Sequence, residues 1–264
     1  MKSYVLITGA TGGLGKAFVL ECAKRGYNLF LTDINESSLK SLADSTRKSH
    51  KTDIQYRELD FTNEDSFMAF WKYINLLNPR FHMLVNIAGG DTEEAFFNQD
   101  AEELLNILKI NVNSVIGMTR NIIDYKDEKR TFHIINISSL GGFYPMPLKA
   151  VYSSSKGFIT NLSLALNYEL KDFNAHITTL CPSGMPTNER RKKLIAVQGL
   201  MGRLTSQDVE KTVSKTIDKA LSGKSIYIPG IVNKFLRLLG SILPNQYIAY
   251  LIYNRWEKTG KNVS

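Results

Sequence analysis

A tyrosine and a lysine four residues apart are the first chemical signal in this 264-residue sequence. Tyr152 and Lys156 begin a segment with helical periodicity, so their side chains would share one helix face. A nearby ammonium favours the phenolate, which would lower the pKa of Tyr152 and make it a usable acid/base near neutral pH. Alone, the pair is equally consistent with two surface residues of a helix. Ser138 and Ser139 precede it at the end of an apolar run, where open α/β sheets bind ligands.

A glycine-rich turn near the N-terminus, Thr8-Gly9-Ala10-Thr11-Gly12-Gly13-Leu14-Gly15, could bind a phosphate. Its glycines would let the backbone approach a pyrophosphate, and the following helix N-terminus would present free N–H groups. Because the turn lies inside a strand–helix–strand unit, it predicts dinucleotide binding.

Asp33 ends the second apolar run of the chain. A carboxylate there can accept hydrogen bonds from both adenosine ribose hydroxyls and repels a 2′-phosphate, which predicts NAD as the preferred cofactor. The alternative role is a helix N-cap. Lys16, close to the glycine turn, is the feature that keeps NADP as an alternative cofactor.

Apolar runs and helical patterns alternate along the chain. The runs are apolar on both faces, as buried parallel strands are, and cover 4–8, 29–33, 54–59, 83–87, 132–138, 176–181 and 225–228. Helical patterns lie near 13–25, 36–48, 63–77, 101–124, 151–171 and 206–222. The alternation predicts an α/β fold, a single-domain Rossmann fold whose doubly wound parallel sheet has about seven strands and helices on both faces. Residues 1–228 would form it, and 229–264 would add a C-terminal helical appendage.

Composition excludes several classes of protein. With 43% hydrophobic and 22% charged residues, the chain is neither disordered nor collagen-like. Cys22 and Cys181 form no CxxC pattern and fit a reducing compartment, so a cytoplasmic protein is expected. The histidines lack metal-ligand spacing, so no metal site is expected. The net charge of +8 comes from scattered basic residues without a binding motif, and no nucleic-acid partner is expected.

The motifs together resemble the short-chain dehydrogenase/reductase family, in order and spacing, over residues 3–230. They are TGATGGLG, Asn86-Ile87-Ala88-Gly89, Asn111, Ser139, Tyr152 and Lys156. The resemblance implies a Rossmann fold, NAD(H) or NADP(H), and the interconversion of alcohols and carbonyls. It implies that Tyr152 is the acid/base and that Ser139 hydrogen-bonds the substrate oxygen. It also implies that Lys156 holds the nicotinamide ribose and that Asn111 positions a relay water from within the fourth helix.

The turn, Asp33 and the resemblance together assign residues to cofactor binding. They are Gly9, Thr11, Gly13, Leu14, Gly15, Asp33, Asp60, Phe61, Asn86, Ala88, Gly89, Tyr152, Lys156, Pro182 and Thr187. Asn86 is expected to tie neighbouring strands together beneath the cofactor. Two positions depart from the family pattern: Ser183 stands where a glycine is expected, and one position of the asparagine pair usual before Ala88-Gly89 is apolar, in the sequence Val85-Asn86-Ile87. These departures affect the expected loop path more than the expected activity.

The sequence is therefore identified as an NAD(P)-dependent oxidoreductase for a small-molecule alcohol or carbonyl. The alternative is a catalytically silent dinucleotide-binding regulatory or scaffold protein. Substrate specificity is expected from residues 90–94, 140–148 and 185–204, whose apolar side chains suggest an apolar substrate. The resemblance also implies a homodimer or homotetramer, paired through the helices at 101–124 and 151–171.

The last segment, 229–264, contains two further helical patterns separated by Pro244. The first has one apolar face, formed by Val232, Phe235, Leu236, Leu239, Ile242 and Leu243. We expect the first helix to pack beside the substrate cleft and the second to complete a subunit contact. Because both helices carry basic and aromatic residues, peripheral membrane contact is the alternative role.

Overall fold

The computed structural model describes residues 2–197 and 199–260. Its centre is a parallel seven-stranded sheet in the order β3-β2-β1-β4-β5-β6-β7. The strands are β1 Ser3–Thr8, β2 Asn28–Asp33, β3 Ile54–Glu58, β4 Arg80–Asn86, β5 Phe132–Ile137, β6 Ala175–Leu180 and β7 Ile226–Tyr227. The predicted doubly wound Rossmann sheet is confirmed, and the order reverses between β1 and β4, which opens a crevice at their carboxyl ends.

Helices cover both faces of the sheet. They are α1 Gly13–Lys24, α2 Glu36–Ser49, α3 Glu64–Leu77, α4 Ala101–Leu108, α5 Ser114–Ile122, α6 Ala150–Glu169, α7 Glu189–Val197, α8 Gly199–Thr205, α9 Val209–Leu221, α10 Ile231–Ile242 and α11 Asn245–Gly260. Within β1, Val5 and Ile7 pack towards α1 and α9, whereas Leu6 packs towards α3 and α5. Because the consecutive residues Val5, Leu6 and Ile7 are all apolar, this alternation buries both faces of the strand, as its pattern predicted.

The predicted helix at 101–124 is not continuous. A π-helical turn, Lys109–Asn113, separates α4 from α5, and a 3₁₀ turn, Ile123–Tyr125, follows. The apolar period continues through the π turn, so hydropathy alone does not reveal it. Such turns inside helices frequently mark functional sites, and this one carries Asn111.

The C-terminal appendage forms two helices with Leu243 and Pro244 between them, as predicted. α10 lies beside the cleft, as expected, but most of its predicted apolar face is exposed. Its inward side combines the fully buried Asn233 with Leu236, which lines the cleft, whereas the Phe235 and Ile242 side chains are 57% and 74% exposed. Within the part of the chain described here, no helix combines the length and the apolarity needed to cross a bilayer.

Candidate active site

The main cleft at the carboxyl edge of the sheet has a volume of about 860 Å³. It is lined by nearly all of the sequence-assigned residues: Gly9, Thr11, Gly13, Leu14, Gly15, Asp33, Asp60, Phe61, Ala88, Gly89, Ser139, Tyr152, Lys156, Pro182 and Thr187. Asn86 and Asn111 are buried below its wall instead. Residues far apart in sequence therefore converge on one cleft.

The glycine turn is packed too closely for side chains. A Cβ on Gly15 would lie 2.0 Å from the Gly9 carbonyl oxygen, and one on Gly13 would lie 2.2 Å from that of Thr187. Gly9 also has a φ of +63°, a conformation that favours glycine. The turn thus leaves backbone exposed to the cleft at the N-terminus of α1, the cradle that a pyrophosphate requires. These residues fit a dinucleotide.

Asp33 is held at the edge of this cradle by backbone donors. The N–H groups of Thr11 and Ile34 donate to its two carboxylate oxygens, each at 2.8 Å. The alternative role of N-cap belongs to Asn35, whose side chain accepts from the N–H of Ser38. Asp33 therefore stands in the cleft as a fixed carboxylate, and Lys16 is exposed on α1 outside the cleft lining.

Asp60 and Phe61 border the same end of the cleft. The Asp60 carboxylate accepts from the N–H and hydroxyl of Thr62, at 2.8 and 2.7 Å. These bonds fix the turn that leads to the N-cap of α3, Asn63. Asp33, Asp60 and Phe61 thus line the same cleft as the glycine turn.

Tyr152 and Lys156 project from the first turns of α6 into the cleft. The Lys156 Nζ donates to the Ile137 carbonyl at 2.9 Å and lies 5.9 Å from the centroid of the Tyr152 ring. Burial lowers the pKa of Lys156 to about 8. The expected lowering of the tyrosine pKa is wrong for this structure: burial and the nearby Asp91 carboxylate raise the pKa of Tyr152, and hydrogen bonding to Ser139 opposes them.

The two neighbouring serines have different surroundings. The Ser138 hydroxyl is buried, donates to the Lys156 carbonyl at 2.7 Å and lies 2.8 Å from the Thr160 hydroxyl. Ser139 Oγ accepts only a local bond, from the Gly141 N–H at 3.1 Å, and interacts with Tyr152. Ser138 therefore anchors α6 to the end of β5, and Ser139 is the serine positioned to meet a substrate.

Asn111 is positioned by the π-helical turn rather than by a regular fourth helix, which corrects its expected setting. Its amide oxygen accepts from the Gly90 N–H at 2.8 Å, and its amide nitrogen donates to the Gly90 carbonyl and the Ser155 hydroxyl, both at 3.0 Å. In this arrangement Asn111 fastens the loop after β4 to α6. Its relay role stays a prediction.

Asn86 ties strands together as predicted, through partners that sequence reasoning missed. Its amide nitrogen donates to Asn136 Oδ1 at 2.8 Å, and Asn136 donates in turn to the Ser163 hydroxyl at 2.9 Å. The series links β4, β5 and α6 beneath Tyr152 and Lys156. Asn136 interrupts an apolar strand sequence, which is the signal that could have revealed it.

An ion cluster beside Tyr152 was also missed. The Lys149 Nζ lies 2.8 Å from the Asp91 carboxylate and 2.9 Å from that of Glu93, and Arg191 of α7 lies 2.9 Å from Asp91. The Lys149 Nζ also lies 5.9 Å from the centroid of the Trp256 ring. The cluster thus joins the catalytic wall to α7 and α11. The cation Lys149, three residues before Tyr152 in the sequence, is the feature that could have indicated a charged cluster here.

Apolar side chains also line the cleft, beside the charged residues of the ion cluster. This apolar wall includes Tyr144, Met146, Met185, Ile195, Met201, Leu236 and Ile252. The first five come from two of the three segments expected to set specificity, and Leu236 and Ile252 come from the appendage. The hydroxyl of Tyr144 donates to the Leu236 carbonyl at 2.9 Å, so α10 is fixed directly to this wall.

Comparisons with known proteins agree with this architecture. A family model described as short chain dehydrogenase matches residues 3–197. The 17-beta-hydroxysteroid dehydrogenase type 3 of Mus musculus is 30% identical over 71% of this chain and 61% of its own length. The very-long-chain 3-oxoacyl-CoA reductase of Bos taurus is 31% identical over 69% of this chain and 59% of its own. The match thus spans about three fifths of these relatives.

Solved structures show the same fold. The bulky-bulky ketone specific alcohol dehydrogenase of Comamonas testosteroni has a TM-score of 0.76 at 23% identity, over 91% of both chains. A short-chain dehydrogenase of Sphingobium yanoikuyae, in complex with NADPH, has a TM-score of 0.74 at 23% identity, over 90% of this chain and 93% of that one. At these identities the likeness concerns the fold alone.

Proposed function

This chain belongs to the short-chain dehydrogenase family, and from that premise we propose that it is an NAD(P)-dependent oxidoreductase that interconverts a secondary alcohol and a carbonyl. The observation that carries the proposal is the convergence of Ser139, Tyr152 and Lys156 on one wall of the cleft that begins at the glycine turn. A dinucleotide-binding scaffold would need the turn but not this wall, so the silent alternative is not favoured.

The mechanism assigns each residue a step. The glycine turn and Asp33 would hold a nicotinamide dinucleotide, which would supply or accept the hydride when bound. Tyr152, whose raised pKa keeps it a phenol, donates its proton to the carbonyl oxygen during reduction. Ser139 donates a hydrogen bond to the same oxygen. Lys156 is held by the Ile137 carbonyl and orients the ribose beside Tyr152, and Asn111 fixes the neighbouring loop and supports proton relay.

We propose an apolar substrate because the apolar wall consists mainly of methionine, isoleucine and leucine side chains. The names of the two relatives point to a steroid and a long acyl chain, which share this character. The test is a turnover screen of steroid, acyl and simple ketone substrates, with polyols as the polar comparison, against both cofactors. Turnover of polyols alone would contradict the proposal of an apolar substrate. The absence of both turnover and cofactor binding would contradict the proposal that the protein is an oxidoreductase.

Cofactor preference rests on Asp33. We expect wild type to have a higher kcat/KM with NAD(H) than with NADP(H), because the fixed carboxylate repels a 2′-phosphate. In Asp33→Ala the ratio of kcat/KM with NAD(H) to kcat/KM with NADP(H) should fall by about tenfold or more, since a 1.4 kcal/mol change is tenfold in affinity. Lys16→Ala is the control and should leave the ratio near wild type. A wild-type preference for NADP(H) would remove the role given to Asp33.

We propose a homodimer or homotetramer paired through α4, α5 and α6. Exposed apolar side chains occur on all three helices: Leu105 on α4, Ile116 on α5 and Phe158 on α6 are 59%, 43% and 42% exposed. Phe158→Asp is expected to lower the solution mass measured by light scattering, because it places a charge in the contact. Leu20→Asp, a change on exposed α1, is the control. A wild-type monomer at all concentrations would contradict the proposal.

The proposed compartment is the cytoplasm. Both cysteines are buried free thiols, the state that a reducing compartment maintains. Fractionation of cells that express the full chain, with a cytosolic marker, tests this assignment. Recovery in a secreted or periplasmic fraction would contradict it.

A further inference from the structure

α10 is amphipathic, but its polar side faces the protein. The buried Asn233 amide donates to the Thr205 and Pro229 carbonyls at 3.0 and 2.9 Å. Gly240 lies against the Tyr144 ring, and the Arg237 guanidinium lies 4.2 Å from the centroid of the Phe143 ring. These contacts fix the rotation of α10 about its axis. The apolar residues on the other side are therefore held outwards.

The outward residues form a continuous apolar stripe along α10. Phe235, Leu238, Leu239 and Ile242 are 57%, 61%, 41% and 74% exposed. The neighbouring helices also carry exposed apolar side chains: Leu200 on α8 is 73% exposed, and Tyr250 on α11 is 60% exposed. We call these six residues the outer surface. Scattered single apolar residues are normal on proteins, but a patch on adjoining helices marks an interaction site.

The charge of these helices identifies the partner. In sequence, α8, α10 and α11 together contain five basic residues, namely Arg203, Lys234, Arg237, Arg255 and Lys258, and one acidic residue, Glu257. Two of the five face inwards, since Arg237 packs on Phe143 and Arg255 lines the cleft. The side chains of Lys234 and Arg203 are exposed beside the stripe. A basic border with aromatic and leucine side chains is what the boundary of an anionic bilayer binds. A second copy of the same surface would be repelled by its like charge.

We propose that the outer surface docks on an anionic lipid bilayer and places the mouth of the cleft at the membrane. The same three helices that carry the outer surface line the cleft on their inner sides, through Met201, Leu236 and Ile252. An apolar substrate then passes from the lipid phase into the cleft without crossing water. This route rests on the proposed function, whereas the docking does not.

The experiment measures co-sedimentation of the full chain with phosphatidylcholine vesicles, prepared with and without phosphatidylserine. Wild type is expected to sediment with the anionic vesicles and to lose binding at high salt. Phe235→Asp combined with Leu239→Asp should weaken that binding by about tenfold or more, because charges then replace the apolar contact. Lys234→Glu should weaken binding to anionic vesicles. Both substituted apolar positions are exposed, so folding should be unaffected.

The matched control combines Met68→Asp with Leu76→Asp on α3, where both side chains are as exposed, at 61% and 78%. This variant should bind like wild type. The proposal is overturned if wild type ignores anionic vesicles, or if the control loses as much binding as the α10 variant. It is also overturned if the α10 variant loses only oligomer mass, because a second copy then covers the surface. Tyr152→Phe separates membrane docking from the proposed oxidoreductase activity. Vesicle binding by this variant supports docking, whatever its turnover.

Discussion

Replacing Tyr152 by Phe is expected to lower kcat by about 10²–10⁴-fold, the usual contribution of a general acid–base group. The phenol lies beside Ser139 on the cleft wall and is the proposed proton donor. Phenylalanine keeps the ring that fills the wall and removes only the hydroxyl. Cofactor affinity, measured by the change in nicotinamide fluorescence, should therefore stay near that of wild type.

The two serines provide a matched comparison for this prediction. Ser139→Ala should lower kcat while leaving thermal stability unchanged, because its hydroxyl bonds the nearby Gly141 N–H and the Tyr152 phenol at the cleft and joins no strand to a helix. Ser138→Ala should instead lower stability by about 1–3 kcal/mol, because its buried hydroxyl joins β5 to α6. Turnover by Tyr152→Phe close to that of wild type would remove the assignment of Tyr152.

Gly15→Ala is expected to weaken cofactor binding by about tenfold or more and to lower the free energy of unfolding by about 1–3 kcal/mol. Two effects oppose each other at this position. Alanine favours a helix by about 1 kcal/mol over glycine, but its Cβ would lie 2.0 Å from the Gly9 carbonyl oxygen. Because both groups belong to a tight backbone turn, the overlap outweighs the helical preference. Isothermal calorimetry and thermal unfolding measure the two effects.

Gly12→Ala is the control for the loss of stability. A Cβ there would lie 3.5 Å from the same carbonyl oxygen, an ordinary contact, and Gly12 has extended backbone angles that any residue adopts. Its unfolding temperature should match wild type. If Gly15→Ala proved as stable as Gly12→Ala and bound cofactor equally well, the packing argument for the turn would fail.

The sheet and the cradle could be predicted from sequence because short-range patterns determine them. Strand β1 is buried at every position after Ser3, has an apolar centre at Val5-Leu6-Ile7, and is followed at once by the glycine turn. Asp33 lies at the end of β2 for the same reason, since the carboxyl ends of parallel strands meet at one edge. The family motifs then predicted that Tyr152 and the glycine turn line the same cleft.

Features set by contacts between distant segments could not be predicted. Arg191 meets Asp91 across a hundred residues of chain, and no local pattern reports that pair. Burial and then Asp91 raise the pKa of Tyr152, so the effect of Lys156 alone gave the wrong direction. The orientation of α10 was also missed. An apolar helix face predicts which side is buried, but a polar side chain with hydrogen-bond partners in the protein interior can turn the helix the other way. Asn233 has such partners.

The two buried cysteines allow local opening of two regions of the fold to be measured by chemical labelling. Burial raises the pKa of Cys22 to about 12 and that of Cys181 to about 11, so neither thiol is nucleophilic while covered. Cys22 lies on the buried face of α1, in the core that packs against β1, and Cys181 follows β6 next to Thr160. A thiol reagent reacts only when one of these regions opens. Ligand-dependent protection of each thiol would therefore show which region a bound cofactor holds closed.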